Sequence, residues 1–124
     1  MLENSRIKFV GTATIGADHI DLDYLKKNGI AFASAPGSNA NSVAEYIAAA
    51  LLVLSERYGF TVSGKNIGII GVGNVGSRVA EKAKTLGMNP LLNDPPLARK
   101  TADKKYLPID KLMEADVITI HVPL

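Results

Sequence analysis

Three glycines in the segment "GVGNVG" have the spacing of a loop that binds phosphate. Gly71, Gly73 and Gly76 follow an apolar run and open an amphipathic one. In the pattern G-x-G-x-x-G the first glycine permits a tight turn, the second lets the backbone approach a diphosphate without a Cβ in the way, and the third lets the next helix press onto the strand. The helix N-terminus adds unpaired amides and the positive end of a dipole. We predict that the diphosphate of a dinucleotide binds here; the alternative is a glycine-rich turn without a ligand.

An acidic residue follows at the distance that a ribose contact requires. Asp94 lies 18 residues beyond Gly76, at the end of the next apolar run. A carboxylate there accepts hydrogen bonds from the adenosine ribose hydroxyls and repels a 2′-phosphate, which predicts NAD rather than NADP. The alternative is an aspartate that forms a turn before Pro95. Arg99 has the charge to pair with a 2′-phosphate, but it follows two prolines in a segment that we predict to be a loop.

The remaining polar candidates support less specific predictions. His121 ends an apolar run where a parallel sheet presents residues to a ligand; general-base catalysis is one role for it, and a backbone contact is the simpler one. Thr12 and Thr14 flank a loop suited to small polar ligands or to bonds with its own backbone. His19 and His121 lie about a hundred residues apart, so no metal site is predicted, and no nucleophile–base pair is evident. We assign no catalytic residue.

Strands and helices alternate along the chain and would position these residues. Near-continuous β-branched runs separated by helical patterns predict an α/β fold with a doubly wound parallel sheet, incomplete and covered on both faces. Asp18 or Asp21 is the predicted cap of the first helix, and Gly29 its left-handed end. The predicted strands cover residues 7–10, 30–36, 67–70, 90–93 and 117–122. The first predicted helix ends at about residue 28, a later one covers about residues 75–86, and a short one lies in "IDKLMEAD".

The longest predicted helix covers residues 42–58. Ser42 and Glu45 have the spacing of a capping box, in which each side chain bonds an unpaired amide at the other's position. From 43 to 54 the sequence is apolar on all sides, which is typical of a helix buried between two layers or two domains. The segment "DPPLARKTADKKYLP", by contrast, is predicted to be a loop without regular structure.

The composition predicts one folded domain and excludes several classes of function. The chain has 124 residues, of which 47% are apolar and 21% charged, so a sizeable core is expected. A net charge of +2 without a basic stripe predicts no nucleic acid partner. The absence of cysteine excludes disulfides and fits a reducing compartment. No apolar run is long enough to span a bilayer, which together with the N-terminal sequence predicts a cytoplasmic protein without a membrane partner.

Taken in order, these motifs resemble the D-2-hydroxyacid dehydrogenase family. "APGSNANSVAEY" and the glycine loop mark the broad family, whereas "GTAT", "ERYGF" and "NDPP" point to the branch that acts on a 4-phosphorylated hydroxy acid in pyridoxal phosphate biosynthesis. The resemblance covers almost the whole chain. It implies that NAD is the cofactor and that a hydride passes between NAD and C2 of a small hydroxy acid phosphate.

The resemblance also implies an arrangement of domains. Residues 1–37 would be the end of a flavodoxin-like, substrate-side domain, and 38–60 an interdomain helix. Residues 61–124 would be the first half of a Rossmann-like NAD domain.

The family's contacts carry over to individual positions. Asn74 and Val75 would join the three glycines at the phosphates, and Thr14 would bind the substrate. His121, Val122 and Pro123 would line the cofactor near its nicotinamide half. Relatives often carry threonine where this chain has Val122, so only a backbone or van der Waals contact is implied there.

We expect the chain to be a fragment of a longer enzyme. In the family the catalytic arginine, acid and histidine follow the segment that matches "HVPL", so this chain alone is expected to be inactive. The alternatives are a stand-alone module that binds or senses NAD without catalysis, and a purely structural role. An unpaired sheet edge and uncovered apolar faces predict a homodimer or other self-association.

Overall fold

The computed structural model describes residues 5–13 and 16–122. This part of the chain separates into two compact units, one up to Asn39 and one from Ala40 onward. No helix within the described ranges is long and apolar enough to cross a membrane.

The first unit is a strand–helix–strand motif whose two strands pair in parallel. Asp21, rather than Asp18, caps the helix, because its Oδ1 accepts a hydrogen bond from the N–H of Tyr24 at 2.8 Å. Gly29 follows the helix with a φ of +63°, the left-handed conformation predicted for the C-terminal end. The elements of this unit are β1 (Phe9–Thr12), α1 (Leu22–Lys27) and β2 (Ala31–Ser34).

The second unit contains a three-stranded parallel sheet in the order β4-β3-β5. Leu92 of β4 also forms an isolated parallel bridge with Tyr106, on the edge of β4 that β3 does not occupy. The predicted α/β class with small, incomplete parallel sheets is therefore confirmed. The elements of this unit are α2 (Ala40–Tyr58), β3 (Asn66–Ile70), α3 (Asn74–Thr85), β4 (Asn89–Asn93), α4 (Pro95–Thr101), α5 (Ile109–Leu112) and β5 (Val117–Ile120).

Helices cover both faces of β3. Ile67 and Ile69 are fully buried in a cluster with residues of α2 and α3, among them Leu51 and Val79. On the opposite face Gly68 lies against Leu112 of α5: a Cβ at residue 68 would come within 3.2 Å of the Leu112 side chain. This two-sided packing explains why β3 reads as a continuous apolar run.

The segment predicted to be a loop after Asp94 begins with a helix, α4, so that prediction was wrong. Pro95 and Pro96 occupy its first positions, with Asp94 as N-cap. Proline is tolerated there because the first amides of a helix have no intrahelical partner. The helix ends at Ala102, which has a left-handed φ of +53°. The two prolines thus start a helix instead of preventing one.

The long helix α2 begins earlier than its predicted cap. Its first residue is Ala40, so Ser42 lies inside the first turn, and Glu45 Oε1 accepts a hydrogen bond from Asn41 Nδ2 at 2.7 Å. The expected burial on several sides is incomplete: Leu51 is buried, whereas Tyr46 is 71% exposed. The interdomain role of residues 38–60 stays a prediction.

Asp116 ties the beginning of β5 to the beginning of β3. Its carboxylate accepts hydrogen bonds from Lys65 Nζ at 2.9 Å and from the Asn66 N–H at 2.8 Å. The Lys65 ammonium, followed by the backbone bond, holds the pKa of Asp116 below its ordinary value. Because the two side chains are 35% and 38% exposed, we expect this ion pair to add little stability.

Strand β5 is partly uncovered. Ile118 is 39% exposed and Ile120 64% exposed, and both lie on the face of the sheet that carries Gly68, because Ile118 pairs with Gly68 and Ile120 is two residues further along. Self-association remains a prediction, and this apolar edge is the surface that fits it.

Candidate functional site

Three loops meet at the carboxyl edge of the sheet in the second unit. Because β3, β4 and β5 are parallel, the residues that follow them emerge at one edge. The Gly71 N–H donates to the Asn93 carbonyl at 2.8 Å, and the His121 N–H donates to the Ile70 carbonyl at 2.7 Å. The central strand has β4 on one side and β5 on the other, so the strand order reverses beside it. In open α/β sheets such a switch point is where ligands bind.

Gly71 forms the turn out of β3. Its φ is +84°, a conformation that side chains disfavour. A Cβ at this position would lie 2.6 Å from the His121 carbonyl oxygen and 2.7 Å from Val122 Cγ1. Glycine is required here by the protein itself, because the loop after β5 passes directly over the turn.

Gly76 lies where helix α3 crosses the glycine loop. A Cβ at residue 76 would overlap the carbonyl oxygen of Gly71 and would stand 3.3 Å from Ile69 Cγ2. The third glycine of the motif therefore lets α3 pack onto β3, as the sequence predicted.

Gly73 differs from the other two glycines of the motif. Within residues 5–13 and 16–122, no atom outside its chain neighbours lies within 4 Å of the place where its Cβ would stand, and the residue is exposed. Packing within the protein thus gives no reason for glycine at this position. Bare backbone that faces open space leaves room for a group from outside the chain to approach the peptide.

The N-terminus of α3 has no side-chain cap. Its N-cap is Gly73, no side chain of the described residues makes a capping hydrogen bond, and the first turn contains no acidic residue. The Ser77 N–H donates to the Gly73 carbonyl at 3.1 Å, so the amides of Asn74, Val75 and Gly76 precede the first helical hydrogen bond. Such amides, with the helix dipole behind them, attract an anion.

Asp94 is bound to the glycine loop as well as to the helix that it begins. Its Oδ2 accepts a hydrogen bond from the Val72 N–H at 2.8 Å, and its Oδ1 accepts one from the Leu97 N–H at 2.9 Å. The second bond is the cap of α4, close to the turn-forming role considered as the alternative to a ribose contact. The ribose role stays a prediction. Arg99 lies exposed on α4.

Asn93 is a site residue that sequence reasoning missed. Its side chain is 6% exposed, its Nδ2 donates to the Leu107 carbonyl at 2.7 Å, and its own carbonyl receives the Gly71 N–H. It joins the glycine loop to the segment after α4. In the sequence, Asn93 is visible only as an amide side chain at the end of an apolar strand, and this does not show which groups it bonds.

His121 is half-buried beside Thr119. Its Nε2 lies 2.9 Å from Thr119 Oγ1, and burial lowers the pKa of the imidazole below its ordinary value. The neutral form is therefore favoured. The backbone of His121, rather than its ring, makes the contacts with β3 and Gly71.

The burial of His121 predicts a pH-dependent stability. Because its pKa is lower in the folded state, the unfolded state binds the proton more readily, and the free energy of unfolding falls as pH drops below about 6.5. We expect His121→Gln to flatten this dependence in urea denaturation between pH 7.5 and 5. His19→Gln, which changes an exposed histidine, is the control and should keep the slope. A steeper loss of stability in His121→Gln would contradict the assignment.

Two predicted site residues, Thr14 and Pro123, lie outside the described residues. The described candidates Gly71, Asp94 and His121 are brought together at one edge by direct hydrogen bonds or close backbone contact. In the part of the chain that the structure describes, no group of three or more His, Cys, Asp or Glu residues could hold a metal ion.

Comparisons with known proteins give a consistent result. Residues 1–119 match the family model described as D-isomer specific 2-hydroxyacid dehydrogenase, catalytic domain. Erythronate-4-phosphate dehydrogenase of Chromohalobacter salexigens is 53% identical over 125 residues, which cover all of this chain and 33% of that protein. The enzyme of the same name from Salinibacter ruber is 50% identical over 129 residues, with the same coverage. The chain spans about a third of the length of these relatives.

Solved structures of related enzymes share the fold. NAD+-bound 3-phosphoglycerate dehydrogenase of Entamoeba histolytica is 31% identical with a TM-score of 0.74, covering 94% of this chain and 40% of that one. NAD-dependent formate dehydrogenase of Staphylococcus aureus, in complex with NAD, is 30% identical with a TM-score of 0.73, covering 94% and 41%. The predicted Rossmann-like fold is confirmed by these likenesses.

Proposed function

Because the chain belongs to the D-isomer specific 2-hydroxyacid dehydrogenase family, we propose that its second unit binds NAD for a dehydrogenase of that family. The observation that carries this proposal is Gly73, whose missing Cβ faces open space while its neighbours in the motif are explained by packing. Two structural relatives at 30% and 31% identity hold this cofactor. A glycine-rich turn without a ligand would not need the second glycine.

The proposed contacts follow the three loops at the carboxyl edge of the sheet. The amides from Gly73 to Val75 would bind the diphosphate, since they point out of an uncapped helix. Asp94 would accept hydrogen bonds from the adenosine ribose. His121 to Pro123 would lie along the nicotinamide half, through backbone and van der Waals contact.

For the reaction, we propose oxidation of erythronate 4-phosphate at C2, as a step of pyridoxal phosphate biosynthesis. A bound NAD would supply the hydride acceptor, and oxidation of the C2 alcohol to a 2-keto acid would release the hydroxyl proton to a base or to solvent. The support is the similarity to erythronate-4-phosphate dehydrogenases at 53% and 50% identity. Thr14 is proposed to contact the substrate. The residues described in this structure include none that we assign to the proton transfer.

Calorimetric titration with NAD, followed by a turnover assay with NAD and erythronate 4-phosphate, tests the proposal. Because this chain alone is expected to be inactive, NAD binding without turnover fits both the dehydrogenase and the alternative, a module that binds or senses NAD. Turnover by a longer protein that carries the family's catalytic arginine, acid and histidine would support the dehydrogenase, and NAD binding without turnover by that protein would support the module. Absence of NAD binding by folded protein would reject both functions.

Three broader features belong to the same proposal. Residues 1–37, 38–60 and 61–124 would be a substrate-side piece, an interdomain helix and half of an NAD domain. The enzyme would act in the cytoplasm, as expected for a metabolic dehydrogenase without a spanning helix in its described part. It would self-associate through apolar surface such as Ile120.

Replacing Asp94 by alanine is expected to change cofactor preference. The variant loses the acceptor for the ribose hydroxyls and also the charge that repels a 2′-phosphate. We therefore expect the Kd for NAD to rise by about tenfold or more relative to that for NADP. Titrations of wild type and variant with each cofactor measure this. An equal loss of affinity for NAD and NADP would contradict a contact between Asp94 and the ribose.

A further inference from the structure

We propose that Asp94 is a positioning residue for the phosphate loop, in addition to any contact with ribose. Through its Oδ2 it holds the Val72 N–H at 2.8 Å and so fixes the peptide that leads into Gly73. This inference rests on the proposed function for its ligand, but the contact itself belongs to the free protein.

Val72 is the link between the two halves of the glycine loop. It lies between Gly71, which forms the turn out of β3, and Gly73, which is the N-cap of α3. Gly71 is held by the Asn93 carbonyl, and Val72 is held by the very next residue, Asp94. Two consecutive amides of the loop are thus bound to two consecutive residues at the end of β4. The direction in which the loop leaves β3 depends on this pair of bonds.

The side chain at position 94 accepts two hydrogen bonds at once. Oδ1 of Asp94 receives the Leu97 N–H and Oδ2 receives the Val72 N–H, so each oxygen is bound to a different segment of backbone. A carboxylate has about four lone-pair sites, and ribose hydroxyls can still bind to the remaining ones. A serine would cap α4 equally well, but its single short hydroxyl would not also reach Val72. The hydrogen bond to Val72 therefore accounts for a carboxylate at position 94 even without a ribose contact.

The first test measures the free protein. Amide hydrogen exchange in Asp94→Ser should be about tenfold faster at Val72 than in wild type, because a hydrogen bond has been lost. The Leu97 amide, which serine can still cap, is the internal reference and should change little. Unchanged exchange at Val72 would overturn the proposal. Should Asp94→Ser fail to fold, Asp94→Asn keeps only one acceptor oxygen, so faster exchange is expected at Val72 or at Leu97, and unchanged exchange at both amides would overturn the proposal.

The second test uses inorganic pyrophosphate, which has no ribose, as the probe. A loop that is less well positioned should bind it about fivefold more weakly in Asp94→Ser, measured by amide chemical shifts of Gly73 and Asn74. Removing a negative charge by itself would instead strengthen binding of this anion. Asp110→Ser, which removes an exposed carboxylate from α5, controls for charge.

The outcomes separate this inference from the proposed function. Unchanged or tighter pyrophosphate binding in Asp94→Ser would overturn the positioning role, even if NAD binding were weakened through the ribose. A wild-type protein that bound neither pyrophosphate nor NAD would reject the proposed function, and amide exchange at Val72 would then still decide whether Asp94 positions the loop.

Discussion

We expect Gly73→Val to abolish detectable NAD binding and to leave the protein folded. Among the described residues, no atom outside the chain neighbours of Gly73 lies within 4 Å of the place where its Cβ would stand, so the folded protein leaves room for a Cβ here. We place the diphosphate in this same space, where the side chain of valine would compete with it. We expect the Kd for NAD to rise at least about 100-fold, which corresponds to about 2.7 kcal/mol, while the free energy of unfolding changes by about 1 kcal/mol or less.

Calorimetric titration and urea denaturation of the same sample check both halves of this result. Gly73→Ala, with a smaller side chain, should give an intermediate loss of affinity. Undiminished affinity in Gly73→Val would show that no phosphate approaches the loop at this residue, and the cofactor assignment would lose its main support.

For Gly76→Ala we expect the reverse pattern, a strongly destabilised protein. The new methyl group would overlap the carbonyl oxygen of Gly71, which belongs to backbone and cannot rotate away as a flexible side chain could. Helix α3 must then move off β3, and overpacking of this kind costs about 3 kcal/mol. We expect a clearly lower urea midpoint, with NAD binding lost as a consequence of the displaced loop.

The two alanine variants form a matched pair, since the same methyl group is added three residues apart. Gly73→Ala should keep its stability and bind NAD more weakly. Gly76→Ala should be destabilised, and its NAD binding should be lost only as a consequence. If Gly76→Ala were as stable as Gly73→Ala, the close contact between α3 and the loop would not exist in solution.

The order of strands and helices and the position of the glycine loop were predictable from local pattern. Apolar runs such as 67–70 predict buried strands, and a glycine motif between a strand and a helix has a known backbone consequence. The sequence prediction does not include α4, because two consecutive prolines usually indicate an interruption of regular structure. Proline hinders a helix only beyond its first turn, and Asp94 as a cap places both prolines inside that turn.

The second partner of Asp94 could not be predicted in the same way. The Val72 donor is a backbone amide 22 residues away, and every residue except proline carries such a group. The sequence therefore identifies the aspartate but does not reveal which backbone amide donates a hydrogen bond to it. The same limit applies to Asn93 and to the pair of Thr119 and His121, whose contacts arise only when parallel strands bring their ends together.

The position of β3 between its two partners has a consequence for how the unit forms. Pairing with β4 joins Asn66 to Asn89, only 23 residues apart, whereas pairing with β5 joins Ile67 to Val117, 50 residues apart. Closing the longer loop costs about 0.7 kcal/mol more chain entropy, so local contacts favour assembly of β3, α3 and β4 first. Gly71, Val72 and both of their anchors at the end of β4 lie within this early portion. During synthesis on a ribosome, the predicted phosphate-binding loop and both of its anchors therefore leave the exit tunnel before β5 does.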